Sequence, residues 1–431
     1  MPKILLFSYN GMSDENANGI TIKNLLSAWP PEHKAQVYCD AQLPDFSAAH
    51  QHFRVTDMEV LKAFCGKRSC HSFSFSEEHR GVTGKSSPKA AARKIPVWLK
   101  KRKYNYLLRW LREILRSISP WGHRKLHRWI RDYDPDVLVY MVGESHYIDK
   151  LVLKTCKKTA KPLVLYNGEA YRIVDTKKRR GLERSYYRNC AKLYAKLHRR
   201  ADLILYNSEM LKQDYGKRYG EHCPAMVSYN SAEGGLSPYV PREMPSLTYF
   251  GNLGVGRSEV LLEVAEILRR IAPAVPLHIY GSAEPEMEAQ FRAAENICYH
   301  GFVDPQRLRE VLDASDILLH VESFVPEISE KLAYAFSTKI AQCLCAGRCF
   351  LSYAPERMAS SAYLRAETGV LVASTQQQLE EHLRSLLADP GLRLHFAQKA
   401  AAAGEKNHSM AHNSLAVRQS IEKLMQREGT I

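Results

Sequence analysis

Short apolar runs alternate with amphipathic stretches along the whole chain. The first run, at 4–9, reads Ile-Leu-Leu-Phe-Ser-Tyr, and apolar positions 22, 25, 26 and 29 then recur at helical spacing behind Gly19. Strand-like runs follow at 37–39, 137–142, 163–166, 203–206 and 226–229, with helical spacing between most of them. A brief apolar run bounded by polar residues predicts a buried strand, and apolar residues three and four apart predict a helix. After three prolines in 238–245 the alternation restarts. Strands are predicted at 247–250, 277–280, 297–299, 317–321, 349–353 and 370–372, and helices at 258–271, 285–294, 306–313, 337–347, 376–387 and 392–402. Repeated β-α-β units make parallel sheets covered on both faces. The fold class is therefore α/β: two doubly wound, Rossmann-like domains facing across a cleft. Their expected limits are 1–235 and 246–405, with a last helix in 406–431 that packs back on the first.

Ligands of doubly wound sheets bind at the carboxyl ends of the strands, so the loops there hold the candidate chemistry. The helix that opens on Ser337 and Thr338 offers unpaired N–H groups and the positive end of its dipole, a site suited to a diphosphate; an ordinary capped core helix is the plainer reading. Lys339 adds positive charge beside it. The loop from Gly251 and Asn252 to Arg257 follows a strand and leads into a helix, as a phosphate-wrapping loop would, and Arg257 has the fork for a bidentate contact. Gly19 permits close backbone approach at the start of the first helix. Glu144 and His146 follow the strand ending at 142, where a carboxylate and an imidazole are chemically useful.

Charge divides the chain. Residues 1–240 carry 42 Lys and Arg against 23 Asp and Glu, and the remainder 19 against 23, within a net charge of +15. The block 85–131 alone holds 15 basic residues and one acid, Glu113, interleaved with Trp98, Tyr104, Tyr106, Trp110, Trp121 and Trp129. Leu108, Leu111, Leu115 and Ile118 share one helical face there, with Arg109, Arg112 and Arg116 off it. Basic residues with tryptophan on an amphipathic helix describe an interfacial membrane helix. Packing of that face on the protein's own sheet is the alternative. A second basic run, 172–200, is expected to face the same anionic surface.

Ten scattered cysteines without CxxC pairs read as small core residues of a reducing compartment, with no zinc site. No apolar run reaches the roughly 18–20 residues needed to cross a bilayer. The expected location is cytoplasmic, peripheral on the inner face of the cell membrane. Gly81-Val-Thr-Gly-Lys-Ser lacks the spacing of a nucleotide-binding P-loop.

Gly251-Asn-Leu with Arg257, Ile279-Tyr-Gly281, His300-Gly-Phe-Val303, Ala314-Ser-Asp316 and the stretch from Phe336 to Gly347 resemble, in order and spacing, the donor-domain motifs of the GT-B glycosyltransferases. The retaining family 4 enzymes of bacterial surface glycans are the most similar group. Gly19, the segment from Ala201 to Ser208 and the segment from Val227 to Asn230 extend the resemblance into the first half. It implies that the Gly251–Arg257 loop, Ser337 and Thr338 bind the donor diphosphate, and that Gly301, Phe302 and Val303, beside Tyr280 and Gly281, hold the base. It further implies that Gly19 approaches the phosphates from the other domain and that His146 stands near the family's active-site histidine. This chain departs from the pattern: Asn252 replaces an arginine, Arg257 a lysine, and Tyr334 and Gln342 two glutamates spaced eight apart. Gln342 retains hydrogen bonding to a ribose hydroxyl without the strength of a carboxylate. The resemblance implies a glycosyltransferase using a nucleoside diphosphate sugar and a glycan or lipid-linked hydroxyl acceptor in surface polysaccharide biosynthesis, with retention and with no cofactor or metal. A non-catalytic scaffold of the same fold and a sugar-nucleotide 2-epimerase are the alternatives; no nucleic-acid partner is expected.

Overall fold

The structure is a computed structural model that describes residues 1–14, 16–66, 71–74, 106–120 and 123–428. Two compact units divide it, Met1–Ser228 with Ser414–Ile431, and Tyr229–Asn413.

The first unit is built on eight strands: β1 Ile4–Phe7, β2 Lys34–Tyr38, β3 Gln51–Arg54, β4 His71–Ser74, β5 Val137–Met141, β6 Leu163–Asn167, β7 Leu203–Tyr206 and β8 Ala225–Val227, in the spatial order β4-β3-β2-β1-β5-β6-β7-β8. Its helices are α1 Ala17–Leu25, α2 Asp57–Phe64, α3 Tyr106–Ile118, α4 His123–Tyr133, α5 His146–Thr159, α6 Gly181–Arg200 and α7 Glu209–Tyr219. Every residue of β1, β2 and β6 is buried. That is why β1 and the first four residues of β6 read as unbroken apolar runs, since a parallel sheet covered on both faces has no solvent side to mark, whereas β2 buries Lys34 and Gln36 and lacks that signature. The chain lays β2 to β4 on one side of β1 and β5 to β8 on the other, so the loops leaving β1 and β5 diverge and open a crevice at their carboxyl ends.

Two elements escape the hydrophobic pattern. β3, Gln-His-Phe-Arg, pairs in parallel with β2 at Ala35↔Gln51. β4 pairs antiparallel with β3. Of the basic block 85–131, residues 85–105 and 121–122, with Trp98, Tyr104 and Trp121, lie outside the described residues. The rest forms α3 and α4.

The second unit has six parallel strands, β9 Leu247–Phe250, β10 Leu277–Tyr280, β11 Ile297–Gly301, β12 Ile317–Val321, β13 Cys349–Tyr353 and β14 Leu371–Ala373, in the order β11-β10-β9-β12-β13-β14. Its switch point lies between β9 and β12. The helices are α8 Arg257–Ile271, α9 Pro285–Ala293, α10 Pro305–Asp313, α11 Pro326–Leu332, α12 Thr338–Cys345, α13 Ala359–Tyr363, α14 Gln376–Ala388 and α15 Pro390–Ala403. The terminal helix α16, Met410–Glu428, returns to the first unit's core from Ser414 onward, where Val417 and Ile421 are fully buried. Ser414 Oγ accepts from Ala28 N at 2.6 Å and donates to Leu25 O at 3.1 Å, so one hydroxyl ties α16 to a carbonyl orphaned at the end of α1 and to an N–H of the segment that follows.

Candidate active site

In the second unit the carboxyl ends of β9, β10 and β12 converge on the start of α12. Ser337 caps that helix, its Oγ accepting from Lys339 N at 3.3 Å, and Thr338 is its first residue. Lys339 is buried, and its ammonium donates to Tyr249 Oη at 2.6 Å. Burial, with Arg257 nearby, lowers the Lys339 pKa to about 7, against the raising effect of Glu322. A buried ammonium at a helix N-terminus concentrates positive potential where an anion would bind.

The glycines around it are there for close approach. Gly251 has φ +111, and a side-chain carbon on it would lie 2.7 Å from Lys339 Cδ. A carbon on Gly281 would lie 2.2 Å from Gly251 O. Gly251 N donates to Tyr280 O at 2.8 Å and Gly281 N to Gly301 O at 2.7 Å, so the three strand ends are stitched together by backbone alone. Tyr280 stacks on His300 with ring centroids 4.3 Å apart, Phe302 is exposed and Val303 is half-buried beside them.

Arg257 opens α8 but is turned inward. Its Nε and Nη2 donate to Glu322 at 2.9 and 2.8 Å. Glu322, at the end of β12, is buried, as is His320, whose imidazole is held well below its usual pKa by burial and the nearby cations. The fork of Arg257 is thus engaged by a carboxylate, and Lys339 is the nearer candidate for a phosphate. Glu322 was not among the residues expected from the sequence. Its place just past a buried strand is the signal that finds it. Asn252 Oδ1 accepts from Gly254 N at 2.7 Å and shapes the loop, and Gln342, one turn beyond Lys339, is half-buried.

In the first unit a cavity of about 490 Å³ opens at the switch point. Tyr9 and Asn10 line it from beyond β1, the segment from Met141 to Ser145 from β5, and Gly168, Glu169 and Tyr171 from beyond β6; Arg109, Arg112 and Glu113 of α3 and Tyr186 of α6 close it. Glu144 accepts from Arg109 at 2.9 Å and from Tyr187 Oη at 3.2 Å. Glu113 accepts from Tyr147 N at 2.6 Å and Ser145 Oγ at 3.1 Å.

His146 does not line this cavity. Its ring stacks on Tyr186 at 4.3 Å, with its nitrogens 3.0 Å from Cys190 Sγ and from Asn189 Nδ2. Burial lowers its pKa to about 4, so it is neutral at physiological pH. Gly19 is buried as well: its N–H donates to the Asn16 cap at 2.7 Å, and an added carbon would lie 2.6 Å from Ser13 O. Glu169, Tyr171 and Tyr186 are cavity residues that the sequence reading left out.

Helix α3 sits inside out. Arg116 and Glu113 are buried, and Arg112 and Arg116 donate to Asp57 at 3.0 and 2.8 Å. Leu107, Leu108, Leu111, Ile114 and Ile118 are exposed, beside α2 with its exposed Met58, Leu61 and Phe64. The alternative in which the apolar face packs on the protein's own sheet is not what these residues do. Among the described residues no helix is long and apolar enough to cross a membrane.

Two family models match the chain, one described as Glycosyltransferase Family 4 over residues 78–231 and one as Glycosyl transferase-like over 257–419. Among curated proteins none matches. Solved structures match over nearly the full length. HepE from Anabaena, in complex with UDP and glucose, is 11% identical with TM-score 0.63, covering 98% of this chain and 100% of its own. Sucrose-phosphate synthase from Thermosynechococcus elongatus is 11% identical with TM-score 0.61, covering 98% and 99%. WaaG, a glycosyltransferase involved in lipopolysaccharide biosynthesis, is 13% identical with TM-score 0.54, covering 96% and 98%. With a family 4 domain in its first half, a glycosyl transferase-like domain in its second and a fold shared with these structures, the chain is a glycosyltransferase of the GT-B fold.

Proposed function

We propose that the protein moves a sugar from a nucleoside diphosphate sugar to a hydroxyl of a membrane-associated or lipid-linked glycan in surface polysaccharide biosynthesis, with retention at the anomeric carbon. The observation that carries the donor half is Lys339, an ammonium buried at the N-terminus of α12 against the glycine-lined ends of β9 and β10. Charge developing on a leaving diphosphate is stabilised there without a metal ion, by groups already in place. In the reaction the bond from the anomeric carbon to the phosphate oxygen breaks and the acceptor oxygen bonds to the same face. The acceptor proton goes to the departing diphosphate. Because HepE binds UDP and glucose, uridine compounds head the donors to test.

The acceptor half rests on α3. An exposed row of five apolar side chains, on a helix whose charges are buried or paired, fits the acyl boundary of a bilayer. Arg172, which opens the basic run 172–200, is buried against Asp149, and the exposed Lys and Arg of 177–199 supply attraction to anionic headgroups on a cytoplasmic membrane face.

Thermal stabilisation by UDP, GDP, ADP, CMP and dTDP and their sugars tests the donor assignment, since a ligand far above its Kd raises stability by about 2–4 kcal/mol. Selective stabilisation by one nucleotide, lost in Lys339→Met, supports it. No response from any of them favours a non-catalytic scaffold, a reading to which the engaged Arg257 and the uncharged Gln342 lend weight. A product of inverted configuration would sink the stereochemical part.

A further inference from the structure

The cavity at the switch point of the first unit holds a carboxylate with nothing to do. Glu113 is tied to the start of α5, and Glu144 to Arg109 and Tyr187. Arg112 is held by Asp57 and by Tyr9 Oη at 2.5 Å. Glu169, two residues past β6, lines the same cavity, and its side chain makes no hydrogen bond or ion pair among the described residues. Glu169 is half-buried, so its carboxylate oxygens are left to water or to a ligand that enters the cavity.

We propose that Glu169 seats the acceptor, accepting a hydrogen bond from a hydroxyl of a neutral sugar ring, and makes this cavity select uncharged sugars over phosphorylated or carboxylated ones. The proposal deepens the glycosyl-transfer reading above and rests on it. Three carboxylates line the cavity against two guanidinium groups, and both guanidiniums are engaged, so among the described lining residues an anionic substituent would meet Glu169 with no free cation to offset it. A hydroxyl supplies the donor that a carboxylate lacks. Tyr171, half-buried in the lining, offers an aromatic ring on which the apolar side of a pyranose can lie, whereas the Tyr9 ring carries Arg112 and Arg116 and the Tyr186 ring carries His146 and Arg109. The volume falls within the roughly 300–1,000 Å³ usual for small-molecule sites. Glu169 is a binding and positioning residue in this scheme, and the acceptor proton still leaves with the diphosphate.

Burial raises the Glu169 pKa to about 7, and Glu144 adds to the effect; Tyr166 and Tyr171 also face it, and α3 presents Arg109, Arg112 and Glu113 to the cavity. The carboxylate form is the acceptor, so sugar binding strengthens as pH rises through 7. Folding responds in the opposite sense. The folded protein holds this proton more tightly than the unfolded chain, so stability falls as pH rises from the ordinary glutamate range to about 7.

Saturation-transfer NMR on the full chain, with methyl glucoside, methyl galactoside, methyl mannoside and N-acetylglucosamine as neutral probes and glucose 6-phosphate and glucuronate as anionic ones, tests this. At least one neutral probe should bind more tightly at pH 8 than at pH 6, and the anions should not compete. Glu169→Gln should weaken that probe roughly tenfold, remove its pH dependence and raise the melting temperature at pH 8. Glu169→Asp should restore the pH dependence in part, which a purely structural role would not require. Equal binding by Glu169→Gln with an unchanged pH profile overturns the proposal. So does preferential binding of an anion, or no neutral binding at all. Nucleotide stabilisation of the wild type is measured alongside: its absence would sink the donor reading, whereas its presence with any of those three outcomes sinks only this one.

Discussion

Lys339 Nζ lies 2.6 Å from Tyr249 Oη and 4.2 Å from the centroid of the same ring, so its charge has a phenol beneath it and, among the described residues, no carboxylate in contact. Burial is what lowers its pKa to about 7. Between about 7 and the ordinary lysine range the unfolded chain binds the extra proton, so the free protein gains stability as pH rises through that window. A bound diphosphate reverses the balance. At pH 8 nucleotide binding should take up close to one proton, seen as a buffer-dependent enthalpy in titration calorimetry. Lys339→Met should show no uptake, lose nucleotide stabilisation, and be more stable than wild type near pH 6.

Arg257 and Glu322 form a buried bidentate pair. Removing one partner strands the other. Arg257→Met should lower the stability of the second unit by about 3–5 kcal/mol in urea unfolding, with Glu322→Gln costing less because the amide still accepts one hydrogen bond.

Gly281 and Gly301 separate space from backbone. A side chain on Gly281 collides with Gly251 O, whereas Gly301, at φ +73, has nothing within 4 Å of the added carbon. Gly301→Ala should cost only the left-handed penalty of about 1–2 kcal/mol. Gly281→Ala should cost more and weaken nucleotide binding, because it forces β9 and β10 apart where the donor loop begins.

Helix α3 makes the membrane reading testable without harming the fold. Leu111→Glu with Ile114→Glu changes exposed positions, so thermal stability should shift by no more than about 0.5 kcal/mol per site. Sedimentation with vesicles containing anionic lipid should fall sharply, and wild-type binding should weaken with added salt. Unchanged vesicle binding would remove α3 from the interface.

The strands at 4–9, 163–166 and 317–321 could be read from the chain because both faces of a parallel sheet exclude water, which leaves an apolar run as their mark. β3 could not: Gln51–Arg54 is a strand because β2 offers it a hydrogen-bonding edge. Periodicity likewise found the two faces of α3 but not which one turns inward, since a period carries no direction. Asp57 on α2 and Glu144 beyond β5 decide that by pairing with its arginines.

The same division runs through the site. The capped helix at Ser337, the glycines at strand ends and the double α/β repeat are local patterns, with causes in backbone geometry and hydrophobic spacing, and the sequence determined them alone. The engagement of Arg257 by a carboxylate 65 residues on, the burial of His146 against Tyr186 and the isolation of Glu169 are relationships between distant segments. Only the tertiary structure decided these, because a charged group's partner and its distance from water are set by which strand ends the sheet order brings together.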